Sequence, residues 1–440
     1  MVGVVKNASA MEKTPINGVE ADIFKLVFAG ATSEQWAEWL RAPLEHAAAV
    51  GNYDLFTKLV EAGANCSAGW MGCGGRTLLD AAAFGGNAEV VSTVLHKGSR
   101  SDINVLATHS KRSALYAAVA GGHDAAARKL ILAGADVNYW DPSDKRPPLV
   151  AAVEGGRVAM VIDLLLAGAS PCAWRDDIDG NTVLHIAAET GHREIVTALL
   201  GANFDVDISN AHGRTPLMLA SENDRLAVVN ALLAAGADVG VREALNKELV
   251  LHLAAHRGRK NTIRAILRHG ADLDARCSQG FTALHDAVAN NQAGAVDVLL
   301  DAGADVNFTT KDGETALHLA VRDMGRSDAL IALLRRRSCL HQADKFGNTA
   351  LHTAISSRQP SLDARVDLLL RWGASETAVN RAYQTPLQLL ETRLNRLQAS
   401  TKDWHERERA ELISARELLT RAPADRTWRR RCLLVMLRAR

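Results

Sequence analysis

Apolar and small residues follow one pattern along most of the chain, and this pattern recurs every 33 to 36 residues. In each repeat a leucine and small residues, often paired alanines, recur at helical spacing, so they share one face of a predicted first helix. A second apolar helical stretch follows and ends at Leu-Leu-x-x-Gly-Ala-Asp or a variant. The pattern predicts eleven helix–turn–helix repeats, marked by Leu44, Leu79, Leu115, Leu149, Leu184, Leu217, Leu251, Leu284, Leu317, Leu351 and Leu387.

The residues at the helix ends explain why each repeat closes. A threonine before the first helix can accept a hydrogen bond from a free backbone N–H, and Pro216 or Pro386 stands where a missing N–H costs nothing. A glycine such as Gly191 or Gly258 ends the first helix, and the later Gly-Ala-Asp supplies a left-handed C-cap. Each helix pair has more apolar face than it can cover alone, so we expect neighbouring repeats to stack into a one-dimensional solenoid.

The clearest copies of the pattern are Thr182–Ala188, Thr282–His285, Thr315–Ala320, Thr349–Ala354 and, for the end of the repeat, Leu299–Asp305. Read together as T-P-L-H-x-A-A…L-L-x-x-G-A-D-V-N, the pattern resembles the ankyrin repeat. The resemblance implies an all-α fold, an ankyrin-repeat α-solenoid of about eleven helix–turn–helix repeats. It further implies finger turns that project from the array and helical caps at both ends.

The pattern divides the chain into four regions. We predict a disordered N-terminal segment at 1–20, an N-terminal capping helix at 21–41, the repeat array at 42–390, and a C-terminal helical cap with a basic tail at 391–440. After the array, two leucine-rich stripes at helical spacing predict the two helices of that cap. The sequence at Ala422–Asp425 contains a proline and predicts a break before the tail.

Composition narrows the class of protein. The chain has 440 residues, of which 48% are hydrophobic and 23% charged, a balance typical of folded proteins. Its 51 Lys and Arg nearly cancel its 50 Asp and Glu, which disfavours a globally basic nucleic-acid binder. The six cysteines are scattered and favour neither a disulfide framework nor a zinc site. With no secretory apolar run at the start, we predict an intracellular, cytoplasmic protein, with the nucleus as the alternative compartment.

Motifs for catalysis and phosphate binding are missing from the sequence. It contains no G-x-x-x-x-G-K-[ST], G-x-G-x-x-G, H-E-x-x-H or G-x-S-x-G. Five histidines occupy the same position early in the first helix: His185, His252, His285, His318 and His352. Repetition at this position indicates that each imidazole ties the helix start to neighbouring backbone. We therefore predict no catalytic residues, no cofactor and no metal site.

Tryptophans supply the candidate partner-binding residues. Trp140 precedes Asp141, and Trp174 precedes Arg175 in the corresponding stretch of the next repeat, while Trp70 falls in a lengthened, glycine-rich turn. In ankyrin-like arrays such turns and the inner helices form the surface that binds partners, and interfaces are enriched in tryptophan. The alternative is that these rings fold back and cover the apolar edges of enlarged loops.

The end of the chain is basic. From Glu391 to Arg440 it has 13 Lys and Arg against 7 Asp and Glu. The candidate tail residues are Arg426, Trp428, Arg429, Arg430 and Arg431. Either this segment completes the C-terminal cap, or it docks on an anionic membrane surface or on nucleic acid.

The sequence thus predicts a non-enzymatic protein-binding scaffold or adaptor that uses its finger turns and inner helices. Its partner would be another protein, and the chain itself is expected to be a monomer. The alternative function is a targeting protein whose basic C-terminal tail docks on an anionic membrane or on nucleic acid. An enzyme would need a further domain, and no segment outside the repeats is long enough for one.

Overall fold

The structure is a computed structural model of the 440-residue chain. It describes residues 40–67, 76–97, 103–106, 112–139, 146–170, 174–323, 328–336, 338–357, 359–398 and 406–438. Side chains are described up to residue 422, except those of residues 323 and 398. The predicted disordered segment at 1–20 and nearly all of the predicted capping helix at 21–41 lie outside the described residues.

The described residues form 22 α-helices and no β-strand, with two isolated antiparallel bridges at Thr309–Thr315 and Ala343–Thr349. The predicted all-α repeat fold is therefore confirmed. The helices are α1 Arg41–Val50, α2 Tyr53–Glu61, α3 Leu78–Gly85, α4 Ala88–Lys97, α5 Ala114–Gly121, α6 Asp124–Leu132, α7 Pro148–Glu154, α8 Val158–Leu166, α9 Val183–Thr190, α10 Arg193–Gly201, α11 Pro216–Glu222, α12 Leu226–Ala234, α13 Val250–His256, α14 Lys260–Arg268, α15 Ala283–Ala289, α16 Ala293–Asp301, α17 Ala316–Asp323, α18 Asp328–Arg335, α19 Ala350–Ser356, α20 Leu362–Trp372, α21 Pro386–Gln398 and α22 Glu406–Arg438.

The chain divides into two compact units. The first comprises residues 1–187 with 194–204, and the second comprises 188–193 with 205–440. Within the first, the first helices of successive repeats pack in the order α1, α3, α5 and α7. Within the second, α11, α13, α15, α17, α19 and α21 pack in the same way, and the second helices α12, α14, α16 and α18 form a parallel layer.

The marked leucines form the core between repeats. The ten from Leu44 to Leu351 are at most 2% exposed, whereas Leu387 in the last repeat is half-buried. Burying a leucine side chain contributes roughly 1.5–3 kcal/mol, so this single position supplies much of the cohesion of the stack. The leucine register read from the sequence is the register of the fold.

Threonines start the first helices in two ways. Thr77 and Thr215 accept, through Oγ1, the backbone N–H of Asp80 at 3.0 Å and of Met218 at 3.4 Å. Where a histidine stands three residues after the threonine, its Nδ1 accepts the threonine N–H instead, as His318 does from Thr315 at 3.1 Å. His185, His285 and His352 repeat this bond at 3.1–3.3 Å.

Of the five histidines at this helix position, His252, His318 and His352 also reach the neighbouring repeat. Nε2 of His252 lies 3.1 Å from the carbonyl oxygen of Phe281, and Nε2 of His352 lies 3.0 Å from that of Gln384. Because Nδ1 accepts a backbone N–H, Nε2 carries the proton and donates it to the carbonyl. Burial lowers the pKa of His252, His285 and His352, that of His285 to about 4, so these imidazoles are neutral at physiological pH. The predicted structural role of the histidines is confirmed.

The last two helices close the second compact unit. Helix α22 packs against α20 and α21, and Leu412, Ala415 and Leu419 are buried in that contact. The prediction of a break at Ala422–Asp425 is wrong, since the backbone of α22 is helical from Glu406 to Arg438. A proline inside a helix removes one hydrogen bond and favours a kink, but it does not by itself end the helix.

Candidate protein-binding surface

Most fingers are tight turns that a polar side chain of the turn holds in place. Oδ1 of Asp344 accepts the backbone N–H groups of Phe346 and Asn348, both at 2.8 Å, and the backbone N–H of Asp344 donates to the carbonyl oxygen of Asn348 at 2.9 Å. Gly347 closes the turn in the left-handed region, at φ 78°. Asx turns followed by glycine are the expected chemistry for such a reversal, and they fix the direction of the finger.

Six consecutive fingers of the second compact unit are joined to one another through their backbones. We call them the finger row: residues 210–214, 243–248, 277–281, 310–314, 344–348 and 380–384. Each finger after the first donates one backbone N–H to a carbonyl of the finger before it: Ala244 to His212 (2.8 Å), Ser278 to Asn246 (2.7 Å), Lys311 to Gln279 (3.1 Å), Lys345 to Asp312 (2.9 Å) and Arg381 to Phe346 (2.9 Å).

Glycine lets the fingers approach this closely. A Cβ atom at Gly280 would lie 2.8 Å from the backbone nitrogen of Lys311, and one at Gly347 would lie 2.7 Å from that of Arg381. These distances are shorter than real contacts allow, so a side chain there would push the fingers apart. The finger row is therefore a surface of fixed spacing, which lowers the entropy cost of binding a partner along it.

Ion pairs connect the base of a finger to the first helix that follows it. They join the residue three before the marked leucine to the residue five after it. The three pairs are Arg146–Glu154 (3.0 Å), Arg214–Glu222 (3.0 Å) and Glu314–Arg322 (2.6 Å). Such half-exposed pairs contribute little to stability, about 0–1 kcal/mol. Because they recur, they instead make the surface between the fingers and the first helices charged and polar.

A cavity opens beside the finger row at the repeats of Leu284 and Leu317. It has a volume of about 420 Å³ and is lined by Ser278, Gln279, Phe281, Lys311, Asp312, Glu314 and Arg322. Phe281 provides an apolar wall, and the charged side chains provide the rim. An apolar wall with a few charged groups is the arrangement that accepts one side chain of a partner.

Two neighbouring carboxyl groups, Glu248 and Asp286, lie where the repeat of Leu251 lacks such an ion pair. In the repeat of Leu251 the two paired positions hold Glu248 and His256, and among the described residues Glu248 forms no ion pair. Burial, with a contribution from Glu243, raises the pKa of Glu248 above its ordinary value. Burial and the neighbouring Glu248 raise the pKa of Asp286 well above its ordinary value, and Oδ2 of Asp286 is buried without a hydrogen bond. A buried carboxyl oxygen without a hydrogen bond lowers the free energy of unfolding, so this part of the surface makes the fold less stable.

Four of the described fingers expose a large apolar side chain at the tip. Leu245, Phe346 and Tyr383 of the finger row are 82%, 59% and 88% exposed, and Ile178 occupies the equivalent tip in the first compact unit. These tip residues were not predicted from the sequence. Their signal was available: each is an apolar residue inside a finger turn, where polar residues or glycine are expected.

The tryptophans predicted to bind a partner are either outside the described residues or buried. Trp70, Trp140 and Asp141 lie outside the described residues. Trp174 is only 8% exposed, so the expectation of an exposed ring there is wrong, and the alternative in which the ring covers an apolar edge applies. The reason is its place at the base of the finger; Ile178, four residues later, forms the tip. Arg175 is exposed, and its Nη1 donates to the carbonyl oxygen of Gly180 at 3.1 Å.

The basic tail is described only through its backbone. Arg426, Trp428, Arg429, Arg430 and Arg431 lie on the second half of α22, and their side chains are outside the described part of the chain. Docking of this tail on an anionic membrane or on nucleic acid therefore stays a prediction.

Two further findings concern the described residues alone. They contain no group of three or more His, Cys, Asp or Glu side chains arranged to hold a metal ion. None of the described helices is both long enough and apolar enough to cross a bilayer.

Comparison with known proteins identifies the repeat. A family model described as ankyrin repeats in three copies matches residues 44–141, 78–174, 149–243, 235–310 and 294–380. The solved ankyrin repeat domain of Bcl-3, described as a unique member of the IkappaB protein family, is 32% identical, with a TM-score of 0.44 over 48% of this chain and 94% of that chain. The human ASB11 ankyrin repeat domain is 27% identical, with a TM-score of 0.46 over 51% and 98%. No curated protein matches the chain.

Proposed function

The chain belongs to the ankyrin repeat family, and from this premise we propose that it is a non-enzymatic scaffold that binds another protein through its finger turns and first helices. Ankyrin repeat domains generally mediate protein–protein interactions. The proposal places the partner along the finger row and the adjoining first helices of the second compact unit.

The observation that carries the proposal is the row of exposed apolar tips on a backbone of fixed spacing. Leu245, Phe346 and Tyr383 expose apolar area to solvent although the stack does not need it for folding. Exposed apolar groups rimmed by charge are typical of protein interaction sites. The cavity beside Phe281 adds a place where one side chain of the partner can anchor.

Of the residues predicted around Trp174 in the first compact unit, only Arg175 is kept as part of the proposed binding surface. Arg175 is exposed and can form part of the polar rim of an interface. Trp174 is assigned to the core of its finger. Binding by Trp70, Trp140 and Asp141 stays a prediction.

Affinity capture with the full chain tests the proposal. The parent chain and a triple tip variant, Leu245→Ser with Phe346→Ser and Tyr383→Ser, are used as bait in a cell extract, and captured proteins are quantified by mass spectrometry. The expected result is that proteins enriched by the parent fall at least about tenfold with the tip variant, since each 1.4 kcal/mol of binding lost is one decade in affinity.

The matched control removes equally exposed leucines from another face. Leu132 at the end of α6 and Leu166 at the end of α8 are highly exposed on second helices. The double variant Leu132→Ser with Leu166→Ser should capture the same proteins as the parent. If the tip variant also captures them unchanged, the finger row is not the binding surface.

A further inference from the structure

Tyr383 occupies a backbone conformation that tyrosine avoids. The turn position four residues before the marked leucine has positive φ in every described finger from residue 174 onward, and it is glycine in five of them: Gly180, Gly213, Gly280, Gly313 and Gly347. In the last finger the position is Tyr383, at φ 59°. For a bulky side chain this left-handed conformation is unfavourable, and such strain tends to persist at functional positions.

Nothing within the finger compensates for this strain by burying the ring. Tyr383 is 88% exposed. Gly213, Gly280, Gly313 and Gly347 lie against the backbone of the next finger, whereas among the described residues no further finger of the row follows Tyr383. Its side chain is thus free to project at the end of the row. Lys247 shares the positive φ in its own finger, at 59°, but its charged side chain has no need of burial.

A second exposed aromatic ring lies on the adjacent finger. Phe346 is 59% exposed, and its carbonyl oxygen accepts the backbone N–H of Arg381 at 2.9 Å, which ties the two fingers together. Val379, immediately before the last finger, is also exposed. The end of the finger row therefore presents apolar area from two fingers side by side.

Positive charge follows the same tips. In the last three fingers the residue after the capping residue is a cation: Lys311, Lys345 and Arg381. Lys345 pairs with Asp312 at 2.5 Å and lies 5.1 Å from the ring of Phe346. In the described part of the chain Lys311 and Arg381 form no ion pair. The carboxylate of Asp344 accepts backbone N–H groups of its own finger, and among the described residues it forms no ion pair with these cations.

We propose that this end of the finger row, formed by Lys311, Lys345, Phe346, Arg381 and Tyr383, binds an acidic segment of the protein partner that also carries apolar side chains. The cations bind its carboxylates, and the rings of Phe346 and Tyr383 cover its apolar residues. The inference rests on the proposed function, because it names the chemistry of the partner at the same surface. A nucleic acid is a poorer match, because its phosphate backbone typically engages many more cations than the three present here.

Selection of peptides on the full chain tests this. The probe is a random 12-residue peptide library displayed on phage, panned against the immobilised parent with the bare support as the counter-selection. We expect recovered peptides to be rich in Asp and Glu together with Leu or aromatic residues. A fluorescein-labelled peptide from this pool should bind Tyr383→Gly at least about tenfold more weakly, and Arg381→Gln more weakly and with less salt dependence.

The control relieves the same backbone strain at another finger. Lys247→Gly places glycine at the equivalent turn position and should leave peptide binding unchanged. Tyr383→Phe keeps the ring and should bind within about twofold of the parent. Melting curves of Tyr383→Gly and Lys247→Gly should match the parent or rise, because the left-handed conformation suits glycine, so lost binding is not lost folding.

Several outcomes would overturn the inference. Recovered peptides without acidic enrichment, or peptides that bind Tyr383→Gly as well as the parent, contradict it. Displacement of the peptide by a dT20 oligonucleotide or by phosphatidylserine vesicles, with direct binding of either, would assign the surface to nucleic acid or membrane. Peptides sensitive to Leu245→Ser but not to Tyr383→Gly contradict this inference alone and leave the proposed function standing, whereas insensitivity to every tip variant contradicts both.

Discussion

Nε2 of His318 lies 3.1 Å from the carbonyl oxygen of Asn348, which belongs to the finger of the next repeat. The same imidazole accepts the backbone N–H of Thr315 at Nδ1, so one side chain caps its own helix and binds the adjacent finger. Because the tips carry the proposed binding surface, the histidine column that holds the finger bases is also what positions that surface. The hydrogen bond from the histidine to the next finger thus contributes both to the stability of the stack and to the position of the proposed binding surface.

Leu317→Ala tests the register of the stack. Leu317 is 1% exposed, and its truncation leaves a cavity between repeats, so the free energy of unfolding should fall by roughly 2–5 kcal/mol in denaturant titrations. Leu387→Ala is the matched control, since the same position in the last repeat is only half-buried and should cost less. A change below about 0.5 kcal/mol for Leu317→Ala would mean that the register is wrong.

The leucine register and the histidine role were predictable because each depends on residues close in sequence. Thr315 and His318 are three positions apart, so their hydrogen bond follows from helix geometry alone. The burial of Trp174 and the continuation of α22 through Pro423 depend on contacts with residues far away in the sequence. The local sequence around Trp174 or Pro423 does not reveal such contacts. Tyr383 was missed for a related reason: a positive φ at a tyrosine becomes visible only once the turn is compared with the glycine turns of the other fingers.

His318→Gln tests how the neutral imidazole contributes to acid sensitivity. Burial lowers the pKa of His318 below its ordinary 6.5, so the unfolded chain takes up a proton first as the pH falls. The contribution of His318 to stability is therefore present above pH 6.5 and is lost as the pH falls through its folded pKa, by at most about 1.4 kcal/mol per pH unit.

Glutamine should keep the cap without titrating. In the last repeat Gln388 already stands at this position, and its Oε1 accepts the backbone N–H of Thr385 at 2.9 Å. His318→Gln should lose about 1 kcal/mol at pH 7 with the bond to Asn348, and its stability should then fall less steeply than that of the parent between pH 6.5 and 4.5. Urea titrations at four pH values measure both effects, and an unchanged acid profile contradicts the prediction.

Asp286→Leu should stabilise the protein. Asp286 has a buried Oδ2 without a hydrogen bond, while the equivalent positions in the neighbouring repeats are the buried Leu253 and Leu319. Because the folded pKa of Asp286 is raised, the carboxyl is compatible with the fold below its unfolded pKa of about 3.9, and stability is lost as the pH rises through the folded value. The variant should gain about 1–3 kcal/mol at pH 7 and less at pH 4. A loss of stability at pH 7 would show that the carboxyl has a stabilising partner.

Trp174→Ala separates a core ring from a binding ring. Because the Trp174 ring is only 8% exposed, its truncation should lower the free energy of unfolding by roughly 3–5 kcal/mol. This loss should appear as a large fall in melting temperature. Arg175→Ala, next to it and exposed, should change stability by no more than about 0.5 kcal/mol. An unchanged melting temperature for Trp174→Ala would return this ring to the candidate binding surface.

Gly347→Ala tests whether the close approach of fingers fixes the binding surface. Gly347 has φ 78°, and a Cβ there would lie 2.7 Å from the backbone nitrogen of Arg381; Gly303 has φ 98°, but a Cβ there meets nothing within 4 Å. Both alanines pay for the left-handed conformation, about 1–2 kcal/mol, and only the first must also displace the next finger. We expect Gly347→Ala to cost at least about 1 kcal/mol more than Gly303→Ala in denaturant titrations and to speed amide hydrogen exchange at Arg381, whose N–H bonds to Phe346. Equal losses and equal exchange rates for the two variants would mean that the fingers yield without strain, and that the spacing of the row is not set by its glycines.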